Sequence, residues 1–207
     1  MSVDPNWSTL VDAATLAAML QHPQLRLLDA RAALPTAPDP DAARKAYAQG
    51  HLPGAYYADL DHDLADLSRP AQGRHPLPQS AAFAKRLGEW GIDPHSQVVV
   101  YDAGDGSMAA ARAWWMLRLM GHRRVAVLDG GLAAWRAAGF VESTEPLQCM
   151  MALRIPAVSI PPRSWMPRRS WSDCNRRRAG CWTRAQASVF VAKSSRSTRW
   201  PGMCRVR

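Results

Sequence analysis

No cysteine occurs in residues 1–140, and the chain's four cysteines all lie beyond them, at Cys149, Cys174, Cys181 and Cys204. Disulfides, thiolate metal sites and a cysteine nucleophile are therefore excluded from that part of the chain. The late cysteines form no C-x-x-C pair and have no histidine beside them, since all six histidines fall in residues 1–140. No spacing calls for a metal or a cofactor. No apolar run approaches the roughly 18–20 residues of a membrane span. Asp4 and Asp12 stand where an export signal would carry a basic and then an apolar segment, so a cytoplasmic location with no membrane partner is expected.

Charge divides the chain. Residues 1–140 hold 13 Lys and Arg against 14 Asp and Glu, a balance of −1, whereas residues 141–207 hold 13 against Glu142, Glu145 and Asp173, a balance of +10. The overall charge of +9 belongs to the second part. That part has no sustained periodicity, scatters Pro146, Pro156, Pro161, Pro162, Pro167 and Pro201, and sets Arg176-Arg177-Arg178 near isolated tryptophans. Such composition predicts one ordered domain over 8–140 and an irregular, disordered tail over 141–207, with a protease-resistant core ending between about Phe140 and Pro156.

The ordered part is centred on Val98 to Gly139. Val98-Val99-Val100-Tyr101 reads as a buried strand, and the turn Asp102-Ala103-Gly104-Asp105-Gly106-Ser107 is too rich in Gly and Asp to extend it. A helix follows, with Ser107 as its expected N-cap and Met108, Ala111, Trp114, Trp115 and Leu119 as its expected core face, until Gly121. Val125 to Leu128 is a second strand, Asp129-Gly130-Gly131 a second turn, and Leu132 to Ala138 a second helix carrying Trp135 inward. Strand, loop and helix alternating in this way define an α/β fold with a parallel sheet flanked by helices. The carboxyl end of such a strand, meeting a helix N-terminus, is where backbone N–H groups converge on an anion.

Upstream, Leu10 to Leu20 reads as a strand end followed by a helix capped by Asp12, and Leu25 to Leu28 as a strand closing on Asp29-Ala30-Arg31. Ala33 to Pro40 is loop, Ala42 to Ala48 a short helix, and Gly50-His51-Leu52-Pro53-Gly54-Ala55 a tight turn leading to Tyr56 and Tyr57. Asp59 to Pro78 is polar and irregular; Ser80 then caps a helix over Ala81 to Trp90. Asp29 and Arg31 could orient a substrate, but a salt bridge or loop anchor is the favoured reading. His51 could be a general base, but a histidine tying down its own turn is favoured. Trp114, Trp115 and Trp135 read as core, and Arg123-Arg124 as a solvated pair.

Leu27-Leu28-Asp29-Ala30-Arg31, Tyr47-x-x-Gly50-His51-Leu52-Pro53-Gly54-Ala55, Val99-Val100-Tyr101 and Asp129-Gly130-Gly131-Leu132-x-x-Trp135 together resemble the rhodanese family. The likeness is to the first, non-catalytic domain of tandem thiosulfate or 3-mercaptopyruvate sulfurtransferases, and it covers about residues 8–140 in order and spacing. It implies sulfane-sulfur transfer to a thiophilic acceptor, small-molecule donors and acceptors as partners, and structural roles for Asp29, Arg31, His51, Pro53, Gly54, Gly130, Gly131 and Trp135. In this family the residue immediately after the central strand is a cysteine whose thiolate takes up the sulfur. Here that position is Asp102, so no catalytic residue is expected in the degenerate loop, and Asp102 with Asp105 should repel an anion such as thiosulfate. The resemblance also implies that an uncovered interdomain face promotes self-association. A non-catalytic binding module is the alternative; a cysteine-loop phosphatase fails for want of the same thiolate.

The tail supports one further expectation. Read one base out of frame, Trp165-Met166-Pro167 forces Asp-Ala and Cys181-Trp182-Thr183 forces Leu-Asp, placing two hidden Asp codons at 166 and 183, 17 apart, like Asp12 and Asp29. Trp200 to Arg207 likewise permits Ala-Gly-His-Val-Pro-Gly-Ala, the counterpart of Gly50 to Ala55. The tail thus reads as the start of a second rhodanese-like domain in the wrong frame, which displaces the nucleic-acid reading its basic charge would otherwise invite.

Overall fold

The computed structural model describes residues 5–33, 39–145 and 147. The four cysteines, most of the basic tail and the reading-frame inference fall outside them. Five strands form one parallel sheet: β1 (Leu10–Val11), β2 (Leu25–Asp29), β3 (Ala55–Tyr57), β4 (Gln97–Tyr101) and β5 (Val125–Leu128), in the order β1-β5-β4-β2-β3. The helices are α1 (Ala13–Ala18), α2 (Ala42–Gln49), α3 (Ser80–Glu89), α4 (Ala109–Leu119) and α5 (Gly131–Ala137), with a 3₁₀ turn at Pro70–Gln72 inside the long segment after β3.

Every residue of β4 and β5 is buried, because helices cover both faces and each strand must present apolar side chains in both directions. The two-residue alternation of a strand sorts them. Leu28, Val98, Val100, Val125 and Val127 pack on one side with Phe83, Leu87 and Trp90, and with Ala109, Ala110, Ala113, Met116 and Leu117 of α4. Leu25, Leu27, Val99, Tyr101, Ala126 and Leu128 pack on the other with Leu16 of α1 and with Leu132 and Trp135 of α5.

Two expectations about α4 fail. Its buried face is Ala109, Ala110, Ala113, Met116 and Leu117, not the face through Met108 and Trp115, which are 81% and 44% exposed. Small residues let the first turns of α4 lie close on the sheet, whereas a tryptophan there would hold them apart. Trp114 is half-buried at the edge, its Nε1 donating to Val125 O at 2.9 Å and Ser8 O at 3.0 Å. Nor does Ser107 cap the helix: Met108 occupies the N-cap position and no side chain caps from there. Ser80 similarly lies inside α3, behind Gln79.

Ordered contacts also run past Phe140, the expected edge of the domain. Trp135 Nε1 donates to Val141 O at 3.1 Å, Arg136 forks onto Glu142 at 2.6 and 2.8 Å, and Ser143 forms an antiparallel bridge with His51.

Candidate active-site loop at the carboxyl end of β4

From β2 the chain moves outward to β3, and from β4 it moves the other way to β5, so the direction of winding changes between β2 and β4. In a parallel α/β sheet the crevice at the carboxyl ends of such strands is where ligands bind. β2 delivers Asp29 and Arg31 there; β4 delivers Asp102 and the loop to Ser107. The strand ends are joined by Ala30 N–H donating to Tyr101 O at 2.8 Å.

Asp102 is the centre of the loop. Its Oδ1 accepts the N–H groups of Gly104 and Gly106, each at 3.0 Å, and its Oδ2 accepts Ala110 N–H at 3.2 Å. The side chain is turned inward, with only 6% of the residue exposed. The carboxylate thus occupies the point on which the loop amides and the first turn of α4 converge. The Asp102 carboxylate itself lies in the cradle, and it supplies the helix cap that Ser107 does not. Ala103, Gly104, Asp105 and Ser107 are exposed around it, and Asp105 Oδ1 accepts Ser107 N–H at 3.0 Å.

Glycine is required at two places. Gly106 has φ +84°, and a Cβ there would meet Val127 Cγ1 at 2.6 Å. Gly131, after the N-cap Gly130, brings α5 against the loop so closely that a Cβ would lie 2.2 Å from Gly104 O and 2.9 Å from Asp102 O. Leu132 N–H donates to Asp102 O at 3.0 Å, tying the two βα loops together.

Beside the loop, Asp29 and Arg31 form a buried fork: Arg31 Nε donates to Asp29 Oδ1 and Oδ2 at 2.9 Å and Nη2 to Oδ2 at 2.5 Å. Arg31 Nη2 also reaches Gly50 O at 2.8 Å. Burial works against the guanidinium charge, but hydrogen bonds and attraction from Asp29 outweigh it and raise the Arg31 pKa. Tyr101 lies against the same carboxylate; burial, then Asp29, hold its hydroxyl far above the usual tyrosine range, so it stays protonated. Its oxygen accepts Leu52 N–H at 3.0 Å. His51 is fully buried, stacked 4.0 Å from Tyr47, with Nδ1 2.9 Å from Tyr47 O and Nε2 3.1 Å from Glu145 O. Pro53 and Gly54 complete the turn into β3, and Trp135 of α5 is buried against the sheet. Of the predicted residues, the loop and the Asp29–Arg31 pair meet at the sheet's carboxyl end, while His51 faces the segment leaving the domain.

A His–Asp pair escapes sequence reasoning. His75 Nε2 lies 3.2 Å from Asp61 Oδ1, with the side chains 26% and 50% exposed. Arg112 of α4 donates to His75 O at 2.8 Å and to Leu64 O at 2.9 Å, holding this segment against the helix. Burial lowers the Arg112 pKa. Among the described residues no group of three or more His, Cys, Asp or Glu is placed to hold a metal, and no helix is long and apolar enough to cross a membrane. An open depression of about 410 Å³ at the β1 edge, lined by Trp7, Leu10, Val11, Asp12, Thr15 and Asp129, includes none of the predicted loop residues.

A five-stranded parallel sheet with helices on both faces and a tight βα loop at its switch point defines the class. Residues 12–138 match the rhodanese-like domain, and the chain belongs to that family. It is 50% identical over 132 residues to a Pseudomonas aeruginosa protein named "Probable 3-mercaptopyruvate sulfurtransferase", covering 63% of this chain and 45% of that one. To the 3-mercaptopyruvate sulfurtransferase of Escherichia coli it is 39% identical over 126 residues, 61% of this chain and 43% of that one. The crystal structure of SseA from Escherichia coli, a 3-mercaptopyruvate sulfotransferase by its description, superposes with a TM-score of 0.61 at 34% identity, covering 69% of this chain and 52% of that chain. The chain thus spans less than half the length of these curated relatives.

Proposed function

We propose that this chain is the first, non-catalytic rhodanese-like domain of a tandem thiosulfate or 3-mercaptopyruvate sulfurtransferase, and that by itself it transfers no sulfur. The observation that carries this reading is the Asp102 carboxylate lying in the amide cradle at the carboxyl end of β4. In the transfer reaction a thiolate attacks the outer sulfur of the donor, forms a persulfide and releases sulfite or pyruvate; the persulfide sulfur then passes to a thiophile. A carboxylate oxygen forms no persulfide, and residues 1–148 contain no thiol. We place Asp102 at the position of the family's nucleophile. The domain's contribution is then structural: a sheet edge and loop that a second domain can be built against.

Purified protein supplied with thiosulfate and cyanide, or with 3-mercaptopyruvate and a thiol, is expected to show no turnover above buffer. Turnover comparable with that of a full-length relative would overturn the reading. Asp102→Cys should restore at most a small fraction of such activity. A Cys Sγ sits one bond nearer the backbone than the Asp oxygens and cannot engage all three N–H groups, and Asp105 still opposes an anionic donor. The exposed Met108 and Trp115, one seven-residue repeat apart, support self-association as a part of this proposal. Sedimentation of the full chain under reducing conditions tests it, and a monomer at tens of micromolar would remove it.

A further inference from the structure

We propose that the open edge of β1 docks an extended, arginine-bearing segment of a partner protein, whose backbone pairs with Leu10 and whose guanidinium enters the depression between Trp7, Asp12 and Asp129. The depression includes no residue of the loop after β4, so whether the chain transfers sulfur does not bear on it.

β1 is an end strand of the sheet, paired on one side alone. Thr9 O accepts Val127 N–H and Val11 O accepts Asp129 N–H, each at 2.9 Å. Backbone groups alternate in direction along a strand, so those of Leu10 face away from β5, and no described residue bonds to them. Leu10 itself is 45% exposed. An open edge of this kind accepts an added strand. The depression beside it, of about 410 Å³, selects the side chain that comes with that strand. Val11 and Leu128 are register partners, which sets Asp12 and Asp129 side by side at neighbouring strand ends. Thr15 donates its N–H to Asp12 Oδ1 at 2.9 Å and its hydroxyl to Oδ2 at 2.7 Å, which fixes the carboxylate and lowers its pKa. Each oxygen keeps a lone pair for a second donor. Neither aspartate makes an ion pair with a described residue, so two adjacent negative charges stand uncompensated, and a cation between them relieves the repulsion. Trp7 supplies a rigid wall. Fully buried Gln97 clamps its backbone, accepting Trp7 N–H at 2.9 Å and donating to Trp7 O at 3.0 Å. A guanidinium stacks on an indole and forks onto carboxylates, whereas an ammonium is a compact point charge, so arginine fits this depression better than lysine.

The isotope-labelled full chain is titrated with a blocked Ala-Arg-Ala peptide and with its citrulline counterpart, which keeps the shape and loses the charge, while backbone and indole N–H shifts are followed by NMR. The expected result is saturable shifts at the Leu10 and Asp129 amides and the Trp7 indole N–H, with a Kd on the order of 1 mM for so small a contact. The amides of β3, at the opposite edge of the sheet, should not move. The citrulline peptide should bind about fivefold or more weakly, having lost the charge that both carboxylates attract. In Asp129→Asn, where one of those carboxylates is gone, the preference for arginine over citrulline should shrink about twofold or more. Absence of a saturable response, equal binding of the two peptides, or shifts that leave Leu10 unmoved would each overturn the proposal. An Asp129→Asn protein that keeps the full preference for arginine would also overturn it. Where that variant does not fold, the two peptides on the unaltered protein decide.

Discussion

The Asp102 carboxylate accepts the Ala110 N–H at 3.2 Å, eight residues along the chain, so the end of β4 caps the helix that follows the loop. An ordinary N-cap reaches two or three residues ahead; this one reaches across the whole turn. Asp102→Ala should therefore lower stability by about 2–4 kcal/mol, because it leaves three N–H groups without their charged acceptor. Ser107→Ala should change it by less than about 0.5 kcal/mol, since no capping bond is lost. Urea unfolding of the two variants checks the assignment, and equal losses would return the cap to Ser107.

Arg31 and Asp29 are 4% and 0% exposed, so neither charge can turn to water if its partner is removed. Arg31→Ala should cost about 3–5 kcal/mol by leaving a buried carboxylate unpaired, and it also frees the turn held through Gly50 O. Combining R31M with D29L should cost less than R31A alone, because it removes both charges at once. Chemical denaturation of the single and double variants measures this; a double variant worse than the single would contradict it.

Much of this architecture was legible in sequence. β5 has the predicted bounds and β4 starts one residue earlier than expected, because strands buried on both faces must be continuously apolar. The loop's place was legible for the same reason, since a Gly- and Asp-rich turn between a buried strand and a helix has few other geometries. The face of α4 was misread because large side chains dominate a periodicity count, while Ala109, Ala110 and Ala113 make the close contact. The Asp102–Ala110 bond was invisible to local capping rules, and the His75–Asp61 pair lies in a segment with no periodicity at all. His51 and Ser143 are 92 positions apart, a pairing that only the closed fold reveals.

His122 carries a pH dependence. Burial, the largest influence, lowers its pKa below the usual value, with Nε2 2.9 Å from Ser96 O. The unfolded chain therefore binds a proton at a higher pH than the folded one. The stabilisation from this group is present above pH 6.5 and is lost as pH falls through the lower folded value. His122→Gln should flatten that part of the profile. Urea midpoints at pH 7.5 and 5.5 should fall further apart in the unaltered protein than in the variant; equal separations would show that His122 contributes nothing.

The segment after α5 makes the last prediction. A chain ended after Phe140 loses the Trp135 Nε1 bond to Val141 O at 3.1 Å and the Arg136–Glu142 fork at 2.6 and 2.8 Å. It also loses both backbone bonds between His51 and Ser143, at 3.0 and 2.8 Å, and the approach of His51 Nε2 to Glu145 O at 3.1 Å. The exposed ion pair contributes little in solvent. The His51 groups differ, because the residue is fully buried and its backbone N–H and C=O would be left without partners. Truncation at Phe140 should therefore cost about 2–4 kcal/mol relative to truncation at Glu145. Urea midpoints of the two truncated chains decide it: a common midpoint would return the domain edge to Phe140, and a lower one for the shorter chain places Val141 to Glu145 within the folded unit.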